Sequence, residues 1–99
     1  MIIITGSATI RPECLDEALR LGIEHSRRSR AEPGCIAHNC HIDAEHPQRI
    51  VFVEEWVDMD AVRAHFAVPN SGAFVGAIGA MAVAPPVMRI FEVEEVSVR

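Results

Sequence analysis

EPGCIAHNCHI at residues 32–42 and RIVFVEEWV at residues 49–57 are the two segments that decide the fold of this chain. Pro33-Gly34 at the start is a strong turn signal. The second segment is rich in β-branched and aromatic side chains, which are typical of strands. We therefore predict strands over 35–42 and 49–57, joined by the connection 43–48 into a hairpin.

The alternation of side chains along a strand sets what each face of this hairpin carries. The residues predicted to share one face are Ile36, His38, Cys40 and Ile42 on the first strand and Ile50, Phe52, Glu54 and Trp56 on the second. A register that pairs Ile42 with Ile50 places His38 opposite Glu54. It also places Ile36 opposite Trp56. A slip by two residues would leave this face assignment unchanged.

The N-terminal part of the chain predicts a strand followed by a helix. Residues 2–10 are rich in β-branched side chains and indicate the first strand. Pro12 suits the first turn of a helix, because its missing N–H would be unpaired there. Acidic residues follow early and arginines come late, as the helix dipole favours. Apolar or small residues recur every three or four positions, so we expect one side of this helix to cover the sheet.

The C-terminal part predicts two helices and a last strand. Asp58 is a good N-cap for the second helix. Asn70 or Ser71 is predicted to cap a third helix over residues 73–82, which is apolar on all sides and therefore expected to be buried on all sides. Pro85-Pro86 ends it. Residues 87–98 are predicted to form the fourth strand, with a β-bulge near Glu94-Glu95.

This order of elements predicts one α+β domain over residues 1–99, with a ferredoxin-like split βαβ arrangement and an antiparallel four-stranded sheet. Helices would cover one face of the sheet. We expect the other face to carry Trp56, Phe52 and Ile50 and to be buried by the sheet of a second copy. Hydrophobic residues make up 49% of a chain of only 99 residues, which also favours a homodimer.

Composition excludes several classes of function. The net charge of −5 argues against a nucleic-acid partner. The uncharged stretch from Phe66 to Met88 is interrupted by prolines and polar residues, so we expect no membrane span. Three cysteines do not make a disulfide framework, and the N-terminus lacks a basic segment before its apolar run. We expect a soluble, cytoplasmic protein.

The order of short motifs, EPGC at 32–35, EEW at 54–56, AHF at 64–66 and PNS at 69–71, resembles the antibiotic biosynthesis monooxygenase family. This resemblance implies a dimeric α+β barrel. It also implies a cofactor-free monooxygenase that acts on a small hydroxylated aromatic compound or a quinol. The chain departs from better-understood members in having no tyrosine.

Six residues follow as candidates for a site. His65, in the family-like AHF segment, is expected to orient or deprotonate the substrate. Glu54 and His38 would tune that proton, because burial beside aromatic groups raises the pKa of a carboxyl. Trp56, Phe52 and Phe74 would hold the substrate ring. Each polar candidate also has a purely structural interpretation, in which it satisfies backbone groups or fixes a corner of the fold.

Two other functions stay open at this stage. The same His–Glu pair suits proton transfer in an isomerase that acts on a small carbonyl compound. The chain is also compatible with a non-enzymatic ligand-binding or stress-related dimer. A metal site built from Cys35, His38, Cys40 and His41 is not expected, because alternation sends these side chains to opposite faces of the strand.

Overall fold

A four-stranded antiparallel sheet with helices on one face is the architecture of the computed structural model, which describes residues 1–98. The strands are β1 (Ile2–Thr9), β2 (Cys35–Asp43), β3 (His46–Trp56) and β4 (Val87–Glu92), and the helices are α1 (Leu15–Arg30), α2 (Met59–Ala67) and α3 (Pro69–Met81). The strand order is β2-β3-β1-β4. The predicted α+β, split βαβ fold is confirmed.

The hairpin register is confirmed except at its open end. Ile42 pairs with Ile50, and His38 pairs with Glu54. The predicted partner of Trp56 was wrong, because the register shifts between Cys35 and Ala37, and Cys35 takes that place. A bulge adds one residue to a strand and so turns the next side chain to the other face.

The helices cover the sheet face that was predicted to be free of helices, the one that carries Ile50, Phe52 and Trp56. Phe52 lies beneath α1, where a Cβ added at Gly22 would meet its ring at 3.1 Å. Trp56 is fully buried, with its ring centroid 4.6 Å from that of His65 on α2. Large aromatic groups gain more from burial in this core than on an outer face. The uncovered face instead carries Ile3, Val51, Val53 and Phe91.

Local signals account for the end of α1 and the start of α2. Gly34 follows α1 with φ of +82°, a conformation that favours glycine, and an added Cβ there would lie 2.6 Å from the Cβ of Ala61. The predicted cap of α2 is confirmed, because Asp58 Oδ1 accepts a hydrogen bond of 2.9 Å from the Ala61 N–H.

The third helix differs from its prediction in start and burial. It begins at Pro69 after Val68, not behind a cap at Asn70 or Ser71, since proline fits the first helical position. One side packs on the sheet through buried Ile78, but Val75 is 54% exposed. The expected burial on all sides is therefore wrong for this single chain. No helix within residues 1–98 has the length and apolar character needed to cross a membrane.

The fourth strand is shorter than predicted. It ends at Glu92, which pairs with Ile2 at the very start of β1. Because β1 begins at Ile2, it has no residue left to pair with the chain after Glu92. Residues 93–98 therefore form no strand, and the predicted bulge near Glu94-Glu95 is absent from them. Val93 still donates a backbone hydrogen bond of 2.9 Å to the Met1 carbonyl.

Candidate functional site

Three imidazoles, two on helices and one on a strand, meet in the apolar interior between the sheet and the helices. His25 on α1, His38 on β2 and His65 on α2 are all buried, and we call them the histidine cluster. Glu54 on β3 is buried beside them. Buried polar groups normally have hydrogen-bond partners. The partner of each imidazole therefore decides what chemistry it can do.

His65 is held by a carboxylate. Its Nδ1 lies 2.8 Å from Oε1 of Glu32, in the turn before β2, and only 3% of the His65 side chain is exposed. A carboxylate is an acceptor, so Nδ1 carries a proton, and the lone pair of the neutral ring is then on Nε2. Nε2 lies 4.0 Å from Oε1 of Glu54. Glu32 was not predicted, although it opens the quoted EPGC motif.

Glu54 is a carboxyl group with a perturbed environment. Burial raises its pKa, and the charge of Glu32 adds to this effect. The hydrogen bond of 3.0 Å from the Trp56 indole N–H and the nearby His65 act in the opposite direction. The predicted cross-strand neighbour His38 lies with Nε2 at 3.4 Å from Glu54 Oε1. The structure thus brings together the three polar candidates named from the sequence.

His38 is completely buried and is neutral at pH 7. Its Nδ1 lies 2.8 Å from the Ser26 hydroxyl, and its Nε2 has no hydrogen-bond partner within residues 1–98. Burial is the main cause that lowers the pKa of His38 to about 3, and the neighbouring imidazoles and arginines add to it. The uncharged imidazole is the form that an apolar interior tolerates, because burying a charge is costly.

His25 is the buried group that sequence reasoning missed. Its Nδ1 lies 2.9 Å from Nη2 of Arg28, one helical turn later on α1. Its ring stacks on Phe74 with centroids 4.1 Å apart and planes only 8° apart. Burial, followed by the influence of His65 and Arg28, lowers the pKa of His25 to about 4. A signal existed in the sequence, since His25 follows Ala18 by seven positions and Gly22 by three, a spacing that puts all three on one side of a helix.

A cavity of about 310 Å³ adjoins the histidine cluster between α2, α3 and the sheet. Its walls include His25 and His65 together with three phenylalanines, Phe52, Phe66 and Phe74. Of the predicted ring-holding residues, Phe52 and Phe74 therefore line the cavity. Trp56 lies behind His65, outside this lining, as do His38 and Glu54. The cavity is apolar apart from its two imidazoles and Ser71.

The histidine cluster also has the spacing of a metal site, because one ligand nitrogen from each ring lies within 4.8 Å of the others. The hydrogen bond from Arg28 argues against this use. A guanidinium has only donors, so His25 Nδ1 must accept and the His25 proton must sit on Nε2. His25 would ligate a metal only after losing this arrangement, because a ligand nitrogen needs a free lone pair.

Comparison with protein-family models identifies one family. The family model described as antibiotic biosynthesis monooxygenase matches residues 1–77. A crystal structure of an antibiotic biosynthesis monooxygenase is similar at a TM-score of 0.87 and 28% identity, over 96% of this chain and 100% of the other. A candidate antibiotic biosynthesis monooxygenase of Deinococcus radiodurans is similar at a TM-score of 0.92 and 22% identity, over 98% and 96% of the two chains.

A curated relative adds sequence similarity without a known activity. An uncharacterized protein of Synechocystis sp. is 27% identical over 94 residues, which is 95% of this chain. This chain spans 64% of the length of that relative. The family model covers well over half of the chain, and the structural likenesses extend over almost all of it.

Proposed function

Since the chain belongs to the antibiotic biosynthesis monooxygenase family, we propose that it oxygenates a small hydroxylated aromatic compound or a quinol without a metal or organic cofactor. The observation that carries the proposal is the His65–Glu32 pair at the wall of the 310 Å³ cavity. Pockets for small molecules begin at about 300 Å³, so this one suits a small aromatic compound.

His65 is the proposed base. Glu32 holds the proton on Nδ1, and the lone pair on Nε2 takes a proton from the substrate hydroxyl. The resulting imidazolium is stabilised by the Glu32 carboxylate at 2.8 Å. Glu54, at 4.0 Å from Nε2, is placed to share or tune the same proton.

The deprotonated substrate then supplies the electrons for oxygen. It donates one electron to O₂, and the two radicals join in a carbon–oxygen bond. Protonation gives a hydroperoxide on a ring carbon that still carries one hydrogen. Loss of that hydrogen and the outer oxygen as water leaves a carbonyl on this carbon. One oxygen atom enters the product and the other leaves as water, so no external reductant is needed. Phe52, Phe66 and Phe74 line the cavity and give this intermediate apolar surroundings.

A homodimer completes the proposal. The uncovered sheet face carries Val53 and Phe91, each 37% exposed, beside Ile3 and Val51. Half-exposed apolar side chains on a sheet face are stabilised when another sheet packs on them. A second copy of the chain is the proposed cover, in the manner that the family resemblance implies.

Oxygen uptake with a panel of quinols and anthrones on metal-stripped protein tests this function. Wild-type protein should consume O₂, and His65→Gln should lower the rate by about 10²–10⁴-fold, the usual worth of a positioned base. His46→Gln, which changes an exposed imidazole at the hairpin end of β3, away from the proposed dimer face, is the matched control and should keep the wild-type rate. Undiminished uptake in His65→Gln would overturn the role of His65. Uptake only after metal is added back would overturn the cofactor-free reaction.

A second candidate is an isomerase that acts on a small carbonyl compound. It is favoured by one observation, the proximity of Glu54, whose pKa burial raises, to the His65 lone pair. Such an acid and base pair can move a proton between two carbons without oxygen. Turnover of a ketone under nitrogen would support it. Folded protein that binds but never turns over a ligand would instead favour a binding function.

A further inference from the structure

The two imidazoles in the cavity wall have opposite hydrogen-bonding roles. His65 donates from Nδ1 to Glu32 and keeps its lone pair on Nε2. His25 accepts at Nδ1 from Arg28 and therefore carries its proton on Nε2. Both residues line the same 310 Å³ cavity, with ring centroids 5.4 Å apart. One wall thus offers an acceptor and a donor to a single ligand.

Burial favours the neutral ring of His25, and the Arg28 donor fixes its tautomer. Arg28 faces Nδ1 from the same helix, and Phe74 stacks on the ring from α3. His38 and His65 approach its edges from β2 and α2, with centroids 5.0 Å and 5.4 Å away. A second proton on His25 would place a cation in a buried site next to the Arg28 guanidinium, which is unfavourable.

We propose that His25 is a second catalytic residue, whose Nε2–H donates a hydrogen bond to a substrate oxygen while His65 takes the proton from a neighbouring hydroxyl. This inference rests on the proposed function of the cavity and deepens it. Arg28 and Glu32 act as positioning residues, since each sets the tautomer of one imidazole. The matching ligand carries an ionisable hydroxyl next to a carbonyl oxygen.

The donor has a chemical purpose in the proposed reaction. When His65 removes the hydroxyl proton, negative charge spreads onto the conjugated carbonyl oxygen. A neutral N–H in an apolar wall stabilises that charge without being consumed, and such a donor is worth about 10²–10³-fold in rate. Stacking on Phe74 fixes the plane of the His25 ring, so that little reorganisation is needed on binding.

The first test is spectroscopic and needs no substrate. Long-range proton–nitrogen correlation spectra of protein with isotope-labelled imidazoles assign the tautomer of each histidine near neutral pH. We expect Nε2–H for His25 and Nδ1–H for His65. Arg28→Met should remove the preference of His25, and Arg28→Lys should restore it by supplying a donor. A His25 ring that is charged, or protonated on Nδ1, in wild-type protein would overturn the inference.

The second test compares three ligands by quenching of the single Trp56. Ortho-hydroxyacetophenone carries both oxygens, phenol lacks the carbonyl, and ortho-methoxyacetophenone lacks the acidic hydrogen. Wild-type protein should bind the first about tenfold to hundredfold more tightly than phenol, the range for a hydrogen bond to a charged group. His25→Phe keeps the stacked ring and should abolish the preference, whereas His25→Gln retains an N–H and should keep part of it.

The outcomes separate this inference from the function on which it rests. An unchanged preference in folded His25→Phe overturns the donor role and leaves oxygen uptake through His65 standing. Equal binding of all three ligands by wild-type protein also overturns the donor role. Failure of folded wild-type protein to bind any of them overturns the donor role if oxygen uptake with quinols persists, and overturns the proposed function as well if that uptake is also absent.

Discussion

Stability should fall as the medium is acidified, because two buried imidazoles must stay neutral in the folded protein. The pKa of His38 is lowered from 6.5 to about 3 and that of His25 from 6.5 to about 4, with burial as the main cause in each case. In the unfolded chain both rings take up protons near pH 6.5. Between that pH and the folded-state pKa values, unfolding therefore binds protons, and the free energy of unfolding rises with pH.

The size of the effect follows from the linkage. One pKa unit corresponds to about 1.4 kcal/mol, so acidification from about pH 7.5 to about pH 5 should cost each buried histidine about 2 kcal/mol. Glu54 opposes this loss, because burial raises its pKa and so favours its protonated form more in the folded protein than in the unfolded chain. A comparison of variants removes this opposing contribution from the result.

The measurement is urea unfolding of wild-type protein and His38→Gln at both pH values and one protein concentration. His38→Gln removes one of the two protons bound on unfolding, so its loss of stability on acidification should be about 2 kcal/mol smaller than that of the wild-type protein. His46→Gln, which changes an exposed imidazole at the hairpin end of β3, should follow the wild-type curve. Parallel curves for wild type and His38→Gln would refute the neutral, buried state of His38.

Three further substitutions test the packing that positions the site. Gly22→Ala should lower the free energy of unfolding in urea by about 1–3 kcal/mol, because the added Cβ would lie 2.9 Å from Cys40 Sγ. An unchanged free energy of unfolding would mean that α1 can move away from the sheet. Asp58→Ala removes the N-cap of α2 and should lower the free energy of unfolding by about 1 kcal/mol. The control Asp60→Ala, on the exposed side of α2, should lower it by under about 0.5 kcal/mol. Equal losses of stability would contradict the role of Asp58 as the cap. Trp56→Phe leaves a void and removes the indole N–H that donates to the buried Glu54 carboxylate. Thermal and urea unfolding should both show a loss of stability of about 2–4 kcal/mol. A smaller loss would show that water replaces the donor.

The family resemblance and the fold class were accessible from the sequence because they depend on local signals. Pro33-Gly34, the Asp58 cap and the alternation along the hairpin each act over a few residues. These signals sufficed to place His38 opposite Glu54. They failed at Cys35, where a bulge changes the register without any composition that marks it.

Periodicity also leaves the covered face of a sheet undecided. Alternation states that Phe52, Glu54 and Trp56 lie together, but it does not state on which side the helices pack. Only the tertiary structure placed them beneath α1 and α2, within the core. The end of β4 at Glu92 was decided in the same way, by where its neighbour β1 begins.

By itself, the sequence determined the order of elements, the hairpin and three polar residues of the interior, His38, Glu54 and His65, since hydrophobic pattern and turn chemistry act along the chain. Only the tertiary structure decided how those polar residues are paired. Glu32 and His65 are 33 positions apart and meet because α2 folds back over the turn before β2. His25 became part of the site because α1 turns it, with Arg28, toward the same cavity. Tautomer and charge depend on such contacts, which no pattern along the chain encodes.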